Sequence, residues 1–304
     1  MLGTTTTNAL VITHVSQLSA GLKNAGRMPA PHHLLMVKPT HFSVDYVINP
    51  HMEGNLGSVD KAKAYREWEG VRDAFKTSGL QVHEIEGQAE MPDMVFSANH
   101  ALPFIDEEGN KETIMSIMRS DHRKGEVPFI EQWYRLNGYK IHHMDHNKVN
   151  AFEGMGDAIW HHKKRLLWGG YGFRTSLNAY DYISQKYKVP VIALELKNPA
   201  FYHLDTCMCI LDEDSLLIYP QAFTDDGLAM IKAVFKNVIE ASHDDAERSF
   251  ACNAVSDGKK VVIQKGSEQV VEKLKDLGFT VHKVETEEFI KSGGSVFCMK
   301  CMVW

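Results

Sequence analysis

Apolar and polar residues follow two periodic patterns along most of this chain. Short apolar runs bounded by glycine, proline or charged residues are typical of strands, and they occur at residues 34–39, 82–85, 94–96, 113–118, near 139 and 158, 189–196, 260–263 and 280–284, with a hairpin over 208–218. Between them, apolar residues spaced three and four apart predict helices, at residues 61–78, 128–137, 176–188, 227–239 and 267–277. Because strands and helices alternate with no linker after residue 33, the pattern predicts a single α/β domain.

The first 33 residues differ from the rest of the chain. They contain four consecutive threonines at 4–7 and no acidic residue, and their only lysine and arginine are Lys23 and Arg27. Such a composition is typical of a disordered tail or an organelle-targeting segment. We therefore expect an N-terminal extension over residues 1–33 and a catalytic domain over residues 34–304.

Composition and charge limit the partners and the compartment expected for this protein. The chain has 304 residues, 44% of them hydrophobic, and a net charge of −6. Its basic residues are scattered and no apolar run approaches the roughly 20 residues that span a bilayer, so we expect neither a nucleic-acid nor a membrane partner. A mildly acidic protein suits a cationic small substrate. The five cysteines are an odd number, and without a secretory signal they indicate reduced thiols in the cytoplasm.

Three separated motifs carry candidate chemistry. Cys298 follows two glycines near the C-terminus, His203-Leu204-Asp205 lies in the middle of the chain, and Glu153 and Asp157 bracket a glycine-rich turn. Thiol catalysis needs a thiolate and a proton carrier, which the cysteine and histidine supply. If the 203–205 segment is extended, His203 and Asp205 share one face. Carboxylates near a cysteine disfavour its thiolate by charge repulsion. A cationic substrate such as a guanidinium group would offset this repulsion.

Taken together, the motifs resemble those of the guanidine-modifying enzymes. The matching segments are Glu-Gly-Met-Gly-Asp at 153–157, His-Leu-Asp-Thr at 203–206 and Gly-Gly-Ser-Val-Phe-Cys at 293–298. The resemblance runs from about residue 35 to the end, and covers arginine deiminases, dimethylarginine hydrolases and amidinotransferases. It implies a five-bladed pseudo-symmetric α/β propeller, the pentein fold, with the active site in a central channel. It also implies that no cofactor or metal is required.

Within this superfamily the chain is most similar to the arginine dihydrolases. Segments 46–50, 96–99 and 170–175 resemble the signatures of that group. The resemblance implies these roles: Cys298 as nucleophile, His203 as general acid and base, Glu153 as its orienting partner, Asp205 as guanidinium ligand, and Asn49, Arg119 and Arg174 as ligands of the α-amino and α-carboxylate groups. Arg123 stands in the same loop as Arg119 and is an alternative to it.

Asn99 stands where arginine deiminases have an aspartate. An aspartate only accepts hydrogen bonds, whereas an asparagine both accepts and donates. It can therefore hold the carbonyl oxygen of citrulline for a second hydrolysis. The prediction is a cysteine-dependent hydrolase that converts L-arginine to ornithine, carbon dioxide and two ammonia. The alternatives are a one-step arginine deiminase that releases citrulline and a dimethylarginine dimethylaminohydrolase.

Two further alternatives use the paired cysteines. Cys207-x-Cys209 with Cys298-x-x-Cys301 could hold a structural zinc ion, but Cys-x-Cys is an uncommon spacing for such a site. A redox Cys-x-x-Cys pair usually opens a helix, whereas this chain ends three residues after Cys301. The sequence does not determine whether the chain forms a homo-oligomer.

Overall fold

The computed structural model describes residues 11–23 and 25–304, whose strands form five small sheets. The strands are β1 (Val11–Ile12), β2 (His33–Val37), β3 (Gln81–Ile85), β4 (Ala101–Ile105), β5 (Lys111–Met115), β6 (Lys140–His142), β7 (Ala158–Trp160), β8 (Leu167–Tyr171), β9 (Val191–Glu195), β10 (Met208–Ile210), β11 (Ser215–Ile218), β12 (Asn237–Glu240), β13 (Val255–Ser256), β14 (Lys260–Gln264), β15 (Thr280–Val284) and β16 (Cys301–Val303).

Helices connect and cover these strands. The α-helices are α1 (Leu18–Leu22), α2 (Lys61–Thr77), α3 (Asp121–Lys124), α4 (Val127–Leu136), α5 (Gly154–Asp157), α6 (Leu177–Tyr187), α7 (Leu204–Cys207), α8 (Asp225–Val234), α9 (Glu268–Asp276) and α10 (Glu287–Ile290). The predicted mixture of α and β structure is therefore confirmed.

The same strand pattern recurs in all five sheets. Three consecutive strands form each of β4-β5-β6, β10-β11-β12 and β13-β14-β15, β1 extends β7-β8-β9 at the β9 edge, and the fifth sheet is β16-β2-β3. In every case the first pair is antiparallel and the second is parallel. A parallel pair needs a long crossover connection, usually helical, and α2, α4, α6, α8 and α9 lie in these crossovers.

The helix α2 shows why the sequence folds in this way. Asp60 caps its first turn by accepting a hydrogen bond from the Lys63 backbone N–H at 2.9 Å. Trp68, Val71 and Phe75 then lie on one face and are fully buried. Burying a large apolar side chain stabilises a fold by about 1.5–3 kcal/mol. This apolar face therefore holds the helix against its sheet.

The C-terminal strand lies in the same sheet as β2 and β3. The C-terminal strand β16 pairs antiparallel with β2, with Cys301 opposite Leu35 and Val303 opposite His33. The side-chain hydroxyl of Tyr139 donates to the Trp304 carbonyl at 2.8 Å and accepts from the Trp304 N–H at 2.8 Å. The segment before β16, which carries Cys298, is therefore anchored at its C-terminal end.

Two predicted elements are wrong. Residues 94–96, predicted as a strand, belong instead to the 3-10 helix Pro92–Val95 and its cap, because Pro92 favours the first turn of a helix and lacks the N–H that a strand needs. The helix predicted at 227–239 ends at Val234. Its last residues form β12, which pairs in parallel with β11.

Much of the N-terminal extension belongs to the fold. Val11 and Ile12 pair with Val191 and Ile192 of β9, and Leu18 and Met28 are buried in the core. Residues 11–23 and 25–33 are therefore folded rather than disordered, because they contribute a strand edge and apolar side chains. Residues 1–10 and 24 lie outside the described residues. No helix in the described part of the chain is long and apolar enough to cross a membrane.

Candidate active site

A buried asparagine fixes the loop that carries Cys298. The side-chain oxygen of Asn253 accepts backbone hydrogen bonds from Ser295, Phe297 and Cys298 at 3.0–3.2 Å. Its Nδ2 donates to the Cys298 Sγ at 3.2 Å and to the Asp205 carbonyl at 2.8 Å. One side chain thus shapes the turn and also faces the sulfur. No motif in the sequence singled out Asn253.

The Cys298 thiol faces a carboxyl group. Its Sγ donates to Oδ2 of Asp205 at 3.2 Å, and both side chains are buried. Burial, and then the nearby Asp205 charge, raise the pKa of the Cys298 thiol well above its usual range. Burial also raises the pKa of Asp205 to about 7. Burial and the Asp205 carboxyl therefore favour the protonated thiol, and a cation placed beside the sulfur would favour the thiolate.

Residues 203–205 do not form one extended strand, so the shared face expected for His203 and Asp205 in an extended segment does not form. His203 is extended, with φ −122° and ψ 153°, but it is the N-cap of α7, and Asp205 lies within that helix. The chain turns here because the Leu204 N–H donates to Oδ1 of Asp157 at 3.0 Å. Burial raises the pKa of Asp157 to about 7. The helical turn directs Asp205 toward the thiol and leaves His203 facing Glu153.

Glu153 orients His203 and joins it to an arginine. Its Oε2 lies 2.7 Å from the His203 Nε2 and accepts from Nη1 of Arg174 at 3.2 Å, while its Oε1 accepts from the Arg119 backbone N–H at 3.0 Å. Burial opposes ionisation of Glu153, but the His203 hydrogen bond and the Arg174 charge outweigh it and lower its pKa to about 2. Glu153 is therefore a carboxylate that holds the imidazole ring in place.

Arg123 fixes the orientation of the Asn99 amide. Its Nη1 donates to the Asn99 Oδ1 at 2.7 Å, and its other nitrogens donate to Glu126 at 2.8–3.2 Å. Because a guanidinium only donates, the amide oxygen must face Arg123. The Asn99 Nδ2 is buried and has no partner in the described residues. A Cβ atom at Gly156 would overlap this nitrogen, so glycine is required there.

Some of these side chains line a narrow cleft that adjoins a wider one. Asn99, His203, Arg174 and Cys298 line an inner cleft of about 270 Å³. Arg174 also lines an outer cleft of about 780 Å³ together with the exposed Arg119. Arg174 lies at the junction, where its Nη2 donates to the Ile48 carbonyl at 2.8 Å. The cleft therefore has a thiol at its inner end and two arginines toward solvent.

Asn49 lies in the wall of both clefts, but its amide groups bind backbone. Its Oδ1 accepts from the N–H groups of His51 and Met52 at 3.0 and 3.3 Å, and its Nδ2 donates to the Ser292 carbonyl at 3.0 Å. Gly293, with φ +82°, continues this wall, and a Cβ atom there would lie 2.8 Å from the Asn49 Oδ1. Asn49 therefore positions the Cys298 loop against the 3-10 helix Pro50–Met52.

The site residues occupy equivalent positions in the five sheets. Each lies in the segment just before the first strand of a sheet: Asn99 before β4, Glu153 before β7, Asp205 before β10, Asn253 before β13 and Cys298 before β16. Contacts between α5 and α7, and between α5 and the 3-10 helix Ser97–His100, bring these segments together. Equivalent loops of the five sheets therefore supply the Cys298 thiol, its hydrogen-bond partners and the Asn99 amide.

The cysteines do not support the zinc or disulfide alternatives. All five thiols are free and buried. Within residues 11–23 and 25–304, no group of three or more His, Cys, Asp or Glu side chains is placed to hold a metal ion. Cys301 instead lies 3.0 Å from the Tyr134 hydroxyl, which indicates a packing role.

Comparison with protein families identifies the group to which the chain belongs. The model for eukaryotic N,N dimethylarginine dimethylhydrolases matches residues 41–303. The chain belongs to this family. The resemblance to the guanidine-modifying enzymes is thereby confirmed, and the family includes enzymes that hydrolyse guanidino C–N bonds.

Individual relatives fall into two functional groups. The bifunctional arginine dihydrolase/ornithine cyclodeaminase AgrE of Nostoc is 36% identical over 88% of this chain, but the match spans only 37% of that protein. The dimethylarginine dimethylaminohydrolase of Mycobacterium tuberculosis is 35% identical over 90% of this chain and 86% of its own length. The crystal structure of the N-terminal domain of ArgZ, a cyanobacterial arginine dihydrolase bound to product, has a TM-score of 0.84 at 35% identity, covering 90% of this chain and 97% of that one.

Proposed function

We propose that this protein hydrolyses the guanidinium group of L-arginine twice, giving ornithine, carbon dioxide and two ammonia. The observation that carries this proposal is the buried Asn99 amide, whose oxygen faces Arg123 and whose Nδ2 has no partner in the described residues. A free donor in the inner cleft suits a carbonyl oxygen, which the product of a first hydrolysis would present there. Structures of the arginine dihydrolase ArgZ with substrate and with product support the same assignment.

Arginine would fit this cleft in one orientation. Its guanidinium group lies at the inner end beside Cys298, where the free Oδ1 of Asp205 accepts a hydrogen bond. Its α-carboxylate lies toward the outer cleft between Arg174 and Arg119. Arg119 suits this role better than Arg123, because Arg123 is buried and already donates to Glu126 and Asn99. Asn49 shapes the wall and positions the backbone that faces the substrate.

The first hydrolysis begins when substrate charge ionises the thiol. The guanidinium placed beside Cys298 lowers the thiol pKa, the thiol proton passes to His203, and the sulfur attacks the guanidinium carbon. Ammonia leaves with a proton from His203, whose ring Glu153 holds. His203 then takes a proton from water, which attacks the adduct, and collapse of this intermediate releases the Cys298 sulfur and forms citrulline.

The second hydrolysis uses the same groups on the ureido carbon. Asn99 donates from Nδ2 to the carbonyl oxygen and holds citrulline against Cys298. The Cys298 thiolate released by the first hydrolysis attacks the ureido carbon, a second ammonia leaves with the proton that His203 took from the first water, and a second water hydrolyses the thiocarbamate. The resulting N-carboxylate loses carbon dioxide and leaves ornithine. Two waters are consumed and two ammonia are released, which balances the reaction.

Hydrolysis of dimethylarginine is a second candidate function. The family model and the Mycobacterium tuberculosis relative both carry that activity in their names. That reaction releases dimethylamine and stops at citrulline. It uses the same thiol, histidine and arginine clamp, so the two candidates differ in what fits around the guanidinium and in the role of Asn99.

The five sheets are best explained as blades of a pseudo-symmetric propeller. Their identical strand patterns, and the equivalent positions of the site residues before each first strand, support an arrangement around the cleft. In this arrangement every blade contributes one loop to the reaction centre. Residues 34–304 then constitute the catalytic domain, with residues 11–23 and 25–33 attached to the blade that contains β9.

Parallel substrate assays test the function. The purified protein should be incubated with L-arginine, asymmetric dimethylarginine and agmatine, with ornithine, citrulline, ammonia and dimethylamine quantified in each. We expect ornithine from arginine, and little turnover of agmatine because it lacks the carboxylate that Arg174 binds. Faster turnover of dimethylarginine with release of dimethylamine would support the second candidate instead. No turnover of any of the three would refute the guanidine-hydrolase assignment.

A further inference from the structure

A second cavity lies on the other side of the Cys298 loop. Its volume is about 710 Å³ when the open mouth is included. Its walls come from the segments around the first strands of three sheets, from the C-terminal strand and from the N-terminal residues 28–31. It shares no lining residue with the inner cleft that contains Cys298. The proposed reaction therefore leaves this cavity unexplained.

The walls of this second cavity are mainly apolar. Met155, Trp160, Phe297, Met302 and Trp304 all line it. The indole nitrogen of Trp304 donates to the Pro29 carbonyl at 2.8 Å, and this bond holds the N-terminal segment against one edge of the cavity. Such walls favour the hydrocarbon part of a ligand.

One buried cation lines the cavity, and an aromatic ring rather than an anion is its neighbour. Lys300 is 1% exposed, and its Nζ lies 3.2 Å from the centroid of the Phe297 ring. Among the described residues it has no hydrogen-bond acceptor and no carboxylate within ion-pair distance. The ring offsets part of the cost of burying the ammonium group, but no anion neutralises its charge. Burial accordingly lowers the pKa of Lys300 to about 8, a value at which the amine still carries its proton at neutral pH.

The other charged groups at this cavity do not satisfy Lys300. Asp257 lies among the lining residues, but its Oδ1 already accepts from the backbone N–H groups of Lys259 and Lys260 at 2.8 and 2.7 Å. Lys163, an exposed lysine, adds a second basic side chain to the lining. The cavity therefore combines apolar walls with one buried ammonium group.

We propose that this cavity is a second ligand site, for a small monocarboxylate with a short hydrocarbon chain. The carboxylate pairs with the Lys300 ammonium, and the chain lies against Trp160, Trp304 and Met302. A singly charged group fits one amine in an apolar setting, whereas phosphate would carry more charge and hydration into the cavity than one amine offsets. The charges of Asp205 and Cys298 act on Lys300, but the cavity shares no lining residue with the inner cleft, so this proposal does not depend on the proposed function.

Calorimetric titration tests the proposal with defined probes. Valerate should be titrated into the full-length protein at neutral pH, beside pentanamide, its uncharged analogue, and inorganic phosphate. We expect saturable binding of valerate in the micromolar-to-millimolar range. Because a charge-assisted contact is lost, pentanamide should bind about tenfold to a hundredfold more weakly, and phosphate should bind more weakly than valerate. Equal affinity for valerate and pentanamide, tighter binding of phosphate, or no binding of valerate would overturn the proposal.

Variants locate the bound carboxylate. Lys300→Met should weaken valerate binding about tenfold to a hundredfold, whereas Lys148→Met, the same change at a lysine whose side chain is 72% exposed, should leave it unchanged. If Lys300→Met does not fold, Ala30→Trp is the alternative test. It keeps Lys300, fills the edge of the cavity and should also weaken valerate binding. Arg174→Ala should have no effect. Loss of binding in Arg174→Ala with full binding in Lys300→Met would place the carboxylate in the outer cleft and refute the second site.

Discussion

The substitution Asn99→Asp tests how the site treats citrulline. The Arg123 guanidinium, 2.7 Å from Oδ1, would keep one carboxylate oxygen in place. The second oxygen would then replace Nδ2, the buried donor that has no partner in the described residues. The inner cleft would change from a donor to an acceptor at that point, with little change in shape.

The size of the expected effect follows from this single exchange. Arginine presents only N–H donors to the site, so a carboxylate oxygen can still accept from it. Citrulline presents a carbonyl oxygen, which would face an acceptor. A mismatched buried polar pair costs about 1–3 kcal/mol, equivalent to a factor of about 5 to 150 in the retention of citrulline. Release of citrulline should therefore compete with its second hydrolysis.

The assay is a ratio of products at matched consumption of arginine. For Asn99→Asp we expect citrulline to accumulate and ammonia to fall from two toward one per arginine consumed. Asn150→Asp adds the same charge at an exposed position and should keep the original ratio. If Asn99→Asp still produces ornithine and two ammonia in the original proportion, Asn99 does not control the second step and the reasoning fails.

Three further predictions concern the nucleophile, the carboxylate clamp and a buried acid. Cys298→Ser should abolish turnover with the fold intact, and Cys207→Ser, at an equally buried thiol, should retain it; activity in the first variant would exclude the covalent mechanism. Arg174→Ala should raise KM for arginine about tenfold to a hundredfold, because a charge-assisted contact is lost, and should bring arginine and agmatine closer in rate; an unchanged KM would remove Arg174 from the binding site. Asp157→Asn should change how the melting temperature depends on pH. Burial raises the pKa of Asp157 from 3.8 to about 7, so its protonated form contributes stability that is complete below pH 3.8 and is lost as pH rises through 7. The variant lacks this loss and should show a shallower decline over that window, whereas an identical pH profile would contradict the assigned pKa.

The repeated strand and helix pattern could be predicted from the sequence because it depends on local periodicity. The helix α2 begins at the predicted residue, and β15 occupies the predicted range. The short strand β12 and the turn at Asp205 could not be predicted, because neither has a local signal. β12 forms where β11 offers a parallel edge, and the turn before Asp205 forms where Asp157 accepts the Leu204 N–H.

For a similar reason, some residues of the candidate site could be predicted from the sequence and others could not. Cys298, His203 and Glu153 stand in motifs with recognisable spacing; the fold brings Cys298 and His203 to one cleft and places Glu153 against His203. Asn253 contacts Cys298 from 45 positions away, so only the arrangement of the sheets reveals it. Arg119 and Arg123 are equivalent in the sequence, but α3 turns Arg123 inward to Glu126 and Asn99 while Arg119 stays exposed.

The stoichiometry of arginine hydrolysis tests the central claim most directly. Purified protein should be given L-arginine, and arginine, citrulline, ornithine and ammonia should be measured together until the substrate is exhausted. The account predicts one ornithine and two ammonia for each arginine, with no lasting accumulation of citrulline. One citrulline and one ammonia for each arginine, with no ornithine, would contradict it.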